Sequence, residues 1–224
     1  MTKQGPFRKE LLAKDSRVSL EVVDETLDKL CQERLCQQKQ GVIEAASFQR
    51  LGVAVRAIRL GADLERVCTF LQWREFENLA AETFKVNSYN VTSNFRFKHA
   101  EKRWEVDLVA CKEPLVVCAD CKHWHHGWTR AAIVKAVEMQ MKRTKALADA
   151  FPTVYSKIKL QTWKQASFIP TVLSLTQGPF KFHNEVPIVP ILKMQSFLND
   201  LPAYASSLTH FSIKVKSKRH NLTE

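Results

Sequence analysis

The chain has 224 residues, 45% of them hydrophobic, and a formal net charge of +11. That length holds one large domain or an ordinary domain beside a small one, and that apolar fraction excludes a disordered chain. Six Gly and eight Pro exclude collagen-like and low-complexity classes, and the lack of any uncharged apolar run of about 18 residues leaves no expectation of a membrane span.

The opening stretch, MTKQGPFRKELLAKD, has no apolar signal core, so a cytoplasmic protein is expected. Cysteines 31, 36, 68, 111, 118 and 121 then read as reduced thiols. Residues 6–14 predict a short helix with Pro6 at its first position. Ser19 is placed to cap a second helix, whose Leu20, Val23, Leu27 and Leu30 share one face. Two short extended runs around Gly41 predict a hairpin, and Ser47 is placed to cap a third helix ending near Gly61. Helix, helix and hairpin in that order resemble a winged helix. The second helix, however, carries Glu21, Asp24, Glu25, Asp28 and Glu33 against only Lys29 and Arg34. That is the wrong sign for a groove lined by phosphates, so a protein-partner or structural role is expected of this part.

From Trp73 the pattern changes. A helix over 73–87 is followed by three strand patterns, 89–99, 103–111 and 115–124. A long helix over 129–151, strands over 166–176 and 186–192, and a helix over 193–201 complete the series. Helices before and after a strand meander predict an α/β/α sandwich around a mixed central sheet. The domains are expected at 1–72 and 73–210, with a basic tail over 211–224 containing Lys214, Lys216, Lys218 and Arg219. Residues 1–72 hold 12 basic and 10 acidic residues, a net of +2, while 73–224 hold 22 and 13, a net of +9. Nucleic-acid contact is therefore expected mainly in the second part.

Residues two apart on a strand share a face. Glu105 and Asp107 therefore point one way on their strand, as do Asp120 and Lys122 on theirs. If the strands pair, three carboxylates and one lysine gather at the edge of an apolar sheet. Such a group needs further positive charge, and hard carboxylate oxygens with retained waters are how Mg²⁺ is usually held.

The run from Glu77 to Gln140 resembles the PD-(D/E)XK nuclease superfamily, and its Mrr-like and archaeal Holliday-junction-resolvase-like branches in particular. The family pattern is a helix with a Glu, a strand with an Asp, and a strand with (D/E)-x-K. Here these are Glu77 in FENL, Asp107 in WEVD, and Asp120-Cys121-Lys122, with Gln140 on the following helix. Asp107 follows Val rather than Pro, and Thr144 stands where some relatives carry Tyr. The resemblance implies a restriction-endonuclease-like sandwich and metal-dependent hydrolysis of DNA phosphodiesters. It implies Mg²⁺ or Mn²⁺ held by Asp107, Asp120, the Cys121 carbonyl and Glu77, with Lys122 positioning the attacking water. It also implies a homodimer, since many relatives pair two active sites. Glu75 competes with Glu77 for the helix role, but the two lie about 200° apart around a helix. Gln140 and Arg143 share a helix face, so both would reach one phosphate. Lys142, Arg130, His123 and Trp124 are further candidates for the DNA approach. Two alternatives stand beside this reading: an inactive nuclease-fold subunit that binds DNA or protein, and an RNA endonuclease. Cys118, Cys121, His123, His125 and His126 also suggest zinc, but the apolar run over 115–121 reads as a strand, which would turn the two thiols to opposite faces.

Overall fold

The structure is a computed structural model and describes residues 5–63, 66–67, 70–122, 129–154, 157–158, 160 and 162–214. The chain divides into two compact units, Met1–Leu79 and Ala80–Glu224. Among the described residues no helix is long and apolar enough to cross a membrane.

The first unit opens with a two-residue strand, β1 (Phe7–Arg8), and not with the expected helix. Phe7 packs against the unit's core, and Arg8 is extended at φ −86° and ψ 144°. Helix α1 (Lys9–Ser16) therefore starts only after the strand has paired. Helix α2 (Leu20–Gln32) follows, with Ser19 Oγ accepting from Val22 N–H at 3.4 Å as its cap. Val23 and Leu27 of α2 are buried together with Ala13, Cys36 and Ile43. Strands β2 (Gln37–Lys39) and β3 (Val42–Glu44) form the expected hairpin. Its two turn residues, Gln40 and Gly41, are both left-handed at φ 51° and 75°, the conformation a two-residue hairpin loop needs. The sheet order is β1-β3-β2. Helix α3 (Ser47–Arg59) is capped at Ala46, one residue earlier than Ser47. Gln49 explains the shift: its Oε1 accepts from Ala46 N–H at 2.9 Å while its Nε2 donates to the Arg34 carbonyl at 2.9 Å. Helix α4 (Trp73–Val86) contains the division between the units, seven residues beyond the boundary expected at 72.

The second unit is an α/β fold built on a mixed sheet ordered β4-β5-β6-β7-β9-β8. Strands β4 (Asn90–His99), β5 (Lys102–Lys112) and β6 (Leu115–Lys122) form an antiparallel meander. Helix α5 (Arg130–Asp149) and the short α6 (Phe151–Val154) lead to β7 (Gln165–Ser174), which lies parallel to β6. Strand β9 (Val186–Pro190) runs parallel to β7, and β8 (Phe182–His183) pairs antiparallel with β9. Helix α7 (Met194–Tyr204) follows. The first residues of the expected tail instead form β10 (Phe211–Lys214), antiparallel to β7. Phe211 and Ile213 pack against the core, so their alternation with Ser212 and Lys214 holds them in the sheet.

Seven of the eight β6 residues are buried, as its near-continuous apolar run requires of a central strand. Helix α5 packs on the sheet through Ile133, Val137 and Leu147, all essentially inaccessible. Replacing Leu147 by Ala should cost about 2–5 kcal/mol in a denaturant titration, the range for emptying a well-packed aliphatic site; a loss below about 1 kcal/mol would contradict this packing.

Candidate active site

Strand β6 ends in Asp120-Cys121-Lys122, at the carboxyl end of its parallel pairing with β7. Asp120 is 1% exposed, and both of its oxygens face cations. Lys122, two residues along the same face, places Nζ at 3.0 Å from Oδ1 and 2.8 Å from Oδ2. Arg143 on α5 donates from Nη1 to Oδ1 at 2.5 Å. Both cations keep about a quarter to a third of their side chains exposed, so they connect a buried carboxylate to the surface.

Asp107 lies on β5 where the strand leaves its neighbours. The β5–β6 ladder ends at Leu108↔Ala119, and one further step would set Asp107 opposite Asp120. On the other side, the β4–β5 ladder passes from Ser93↔Leu108 to Phe95↔Val106 and skips Asn94, which is left-handed at φ 51°. Oδ2 of Asp107 accepts from Cys121 N–H at 2.8 Å, which ties the end of β6 to β5 through a carboxylate. Asp120 with its two cations, and Asp107 from the middle of β5, thus both attach to the end of β6.

Helix α5 is aligned by the same contacts. Gln140 is fully buried and donates from Nε2 to the Cys118 carbonyl at 2.6 Å. Gln140 and Arg143 therefore share a face, as their spacing predicts, but that face meets Cys118 and Asp120 of β6. The Gln140 Oε1 has no hydrogen-bond partner among the described residues.

The other sequence candidates divide. Glu105 does not join the carboxylates: it pairs with Arg96, its partner in the β4 register, at 2.9 Å. The Cys121 side chain is fully buried. Lys142 is exposed on α5, and Arg130 is exposed at the first turn, about 20 Å along the helix axis from Arg143. His123, Trp124, His125, His126 and Trp128 lie outside the described residues. Cys118 and Cys121 sit on a continuous strand three residues apart, so their thiols face opposite sides. Burial, with some help from Cys111, pushes the Cys118 thiol well above its ordinary range, which favours a neutral thiol over a thiolate ligand. Among the described residues no three His, Cys, Asp or Glu side chains group as a metal cage.

Glu77 belongs to the first unit, where its carboxylate accepts from Trp73 Nε1. Its competitor Glu75 is structural. Glu75 is 2% exposed, pairs with Arg50 Nε at 3.0 Å, and accepts from Gln72 N–H at 2.8 Å at the start of α4. The spacing of Glu75 to Gln72, with an acidic side chain reaching back to the helix start, was a readable signal of this capping role.

No family model matches the chain. A protein of Archaeoglobus fulgidus, described only as uncharacterized, is 29% identical over 134 residues, 60% of this chain and 95% of the relative. That stretch is longer than the first unit, so it takes in part of the second.

Glu75→Ala should cost about 3 kcal/mol in thermal or denaturant unfolding, because it removes the carboxylate that pairs with the largely covered Arg50 and caps the start of α4. Glu77→Ala should cost under about 1 kcal/mol, as is usual for a partly exposed carboxylate. Equal losses would show that Glu75 does not hold the structural role assigned to it.

Proposed function

We propose that the second unit is a PD-(D/E)XK-type nuclease with a restriction-endonuclease-like α/β/α sandwich, hydrolysing DNA phosphodiester bonds with Mg²⁺ or Mn²⁺. The observation that supports this reading is the Asp107 carboxylate bound to Cys121 N–H, the residue next to Asp120, with Lys122 on Asp120. The donors fit a hard divalent cation: two carboxylates and the Cys121 carbonyl supply oxygens, and a cation of the Mg²⁺ type completes its shell with water. Bound there, it would act as a Lewis acid and lower the pKa of a coordinated water. Asp107 and Asp120 hold the site's negative charge. Lys122, as an ammonium on Asp120, orients the attacking water and balances charge that grows on the phosphate oxygens, while the water's proton leaves to solvent. Arg143, beside it, binds a non-bridging phosphate oxygen. Gln140 fixes α5 so that Arg143 reaches the site.

A second reading rests on one observation: Asp120 is already neutralised by Lys122 and Arg143. A nuclease fold closed in this way would serve as a binding subunit without turnover. The first unit, with the acidic α2, would dock a protein partner on either reading.

The deciding experiment is a panel of linear, supercoiled, branched and flapped DNA, with an RNA arm, assayed in Mg²⁺ and in Mn²⁺. Wild type should cleave DNA in a metal-dependent way. Asp107→Ala and Lys122→Ala should each lose at least about 100-fold in rate, as removal of one preorganised charge typically does. Cleavage unchanged in both variants sinks the catalytic assignment. Cleavage of the RNA arm alone reassigns the substrate, and no cleavage with retained binding favours the subunit reading.

A further inference from the structure

The tip of the β4–β5 hairpin carries a second set of charges that the site above does not use. Lys98 and Arg103 face each other directly across the ladder, and both are exposed. Like charges opposed in this way destabilise a hairpin by a few tenths of a kcal/mol or more. Among the described residues no carboxylate pairs with either, nor with Lys157, which lines the same concavity of about 740 Å³. Glu105, on the same face of the hairpin, is taken by Arg96, and Glu101 stands exposed in the turn. Lys102 lies over the Trp104 ring with Nζ 4.1 Å from its centre. Trp104 is held in turn by the core beneath it and by its Nε1–H donating to the His99 carbonyl at 3.4 Å. The aromatic ring thus fixes a cation in place and is not itself free to stack on a base.

We propose that Lys98, Arg103 and Lys157 form a phosphate-tracking surface for a nucleic-acid backbone that leads to the Asp107 site. Identification of the polyanion as nucleic acid rests on the function proposed above; the surface itself rests on the charges. Continuity along β5 supports it. Arg103 is four residues from Asp107 on the same strand, about 13 Å at the strand rise. Measured along a duplex axis, that distance spans about four base-pair rises. A backbone lying on the hairpin would therefore present a phosphate near Asp107 while others meet the lysines and Arg103. With no base-reading group at the tip, binding there is independent of sequence and strongly dependent on salt.

The test is binding by the full chain of a labelled 20-base-pair duplex, and of a single strand of the same length, in EDTA across a salt series. Lys98→Gln/Arg103→Gln should bind about tenfold more weakly at ~100 mM salt, and the slope of log K against log salt should shrink by about two, near 0.9 per lost phosphate contact. Its melting temperature should hold or rise, because the opposed charges are gone. An unchanged slope, a lowered melting temperature, or wild-type protein that binds anionic phosphatidylserine vesicles or nothing in place of nucleic acid overturns the proposal. Hydrolysis plays no part in EDTA, so absent turnover leaves this result intact. Metal-dependent cleavage with an unchanged slope removes this surface alone.

Discussion

One buried charge organises the second unit. Asp120 sits at the end of a strand covered on both faces, and a carboxylate there is tolerable only with partners within hydrogen-bond reach. One partner, Lys122, comes from the same strand and follows from the alternation of side chains. The other, Arg143, comes from α5 and sets how that helix must lie. Gln140 binds the Cys118 carbonyl three residues before Arg143 on the helix and two residues before Asp120 on the strand. Three helical residues rise about 4.5 Å and two strand residues about 6.6 Å. The two contacts match only if α5 crosses β6 at an angle and in one register. A polar network of this kind specifies arrangement more than it adds stability.

Asp107 depends on the same strand end from the other side. Its carboxylate replaces a ladder hydrogen bond by accepting from Cys121 N–H, just where the β5–β6 pairing stops. The strands part there, and the left-handed Asn94 interrupts the pairing on the β4 side. Room for a ligand between two paired strands would be impossible inside a regular ladder. The interrupted pairing at Asn94 and Asp107 leaves the ladder open beside the end of β6.

Most of the second unit was legible because its strands and helices differ in period. The runs over 115–122 and 165–174 are too continuously apolar for a surface helix, and 130–149 is too long for a strand. Asp107, Asp120 and Lys122 could be brought together on paper from strand alternation alone. Three features could not. Phe7–Arg8 is extended because of a strand 34 residues later, a non-local reason that local pattern cannot contain. Phe211–Lys214 looked like the start of a charged tail until β7 supplied a partner and the core took its aromatic and aliphatic side chains. Glu105 shares a face with Asp107 by parity, yet Arg96 lies at its register position and draws it away. In each case the deciding group sits on another element.

The same logic changes the meaning of the net charge. A formal excess of +9 in residues 73–224 suggests a uniformly basic surface. Four of its 22 cations are already answered by carboxylates: Lys122 and Arg143 by one buried Asp120, Arg96 by Glu105, and Lys145 by Asp149. What is left for a polyanion is a smaller number of cations held without opposing carboxylates among the described residues. Those on the β4–β5 hairpin stand on the strand that carries Asp107. Charge that is locally unfavourable for folding and continuous with a carboxylate pair is better explained by a ligand than by solubility. Solubility would be served equally well by charges spread anywhere on the surface.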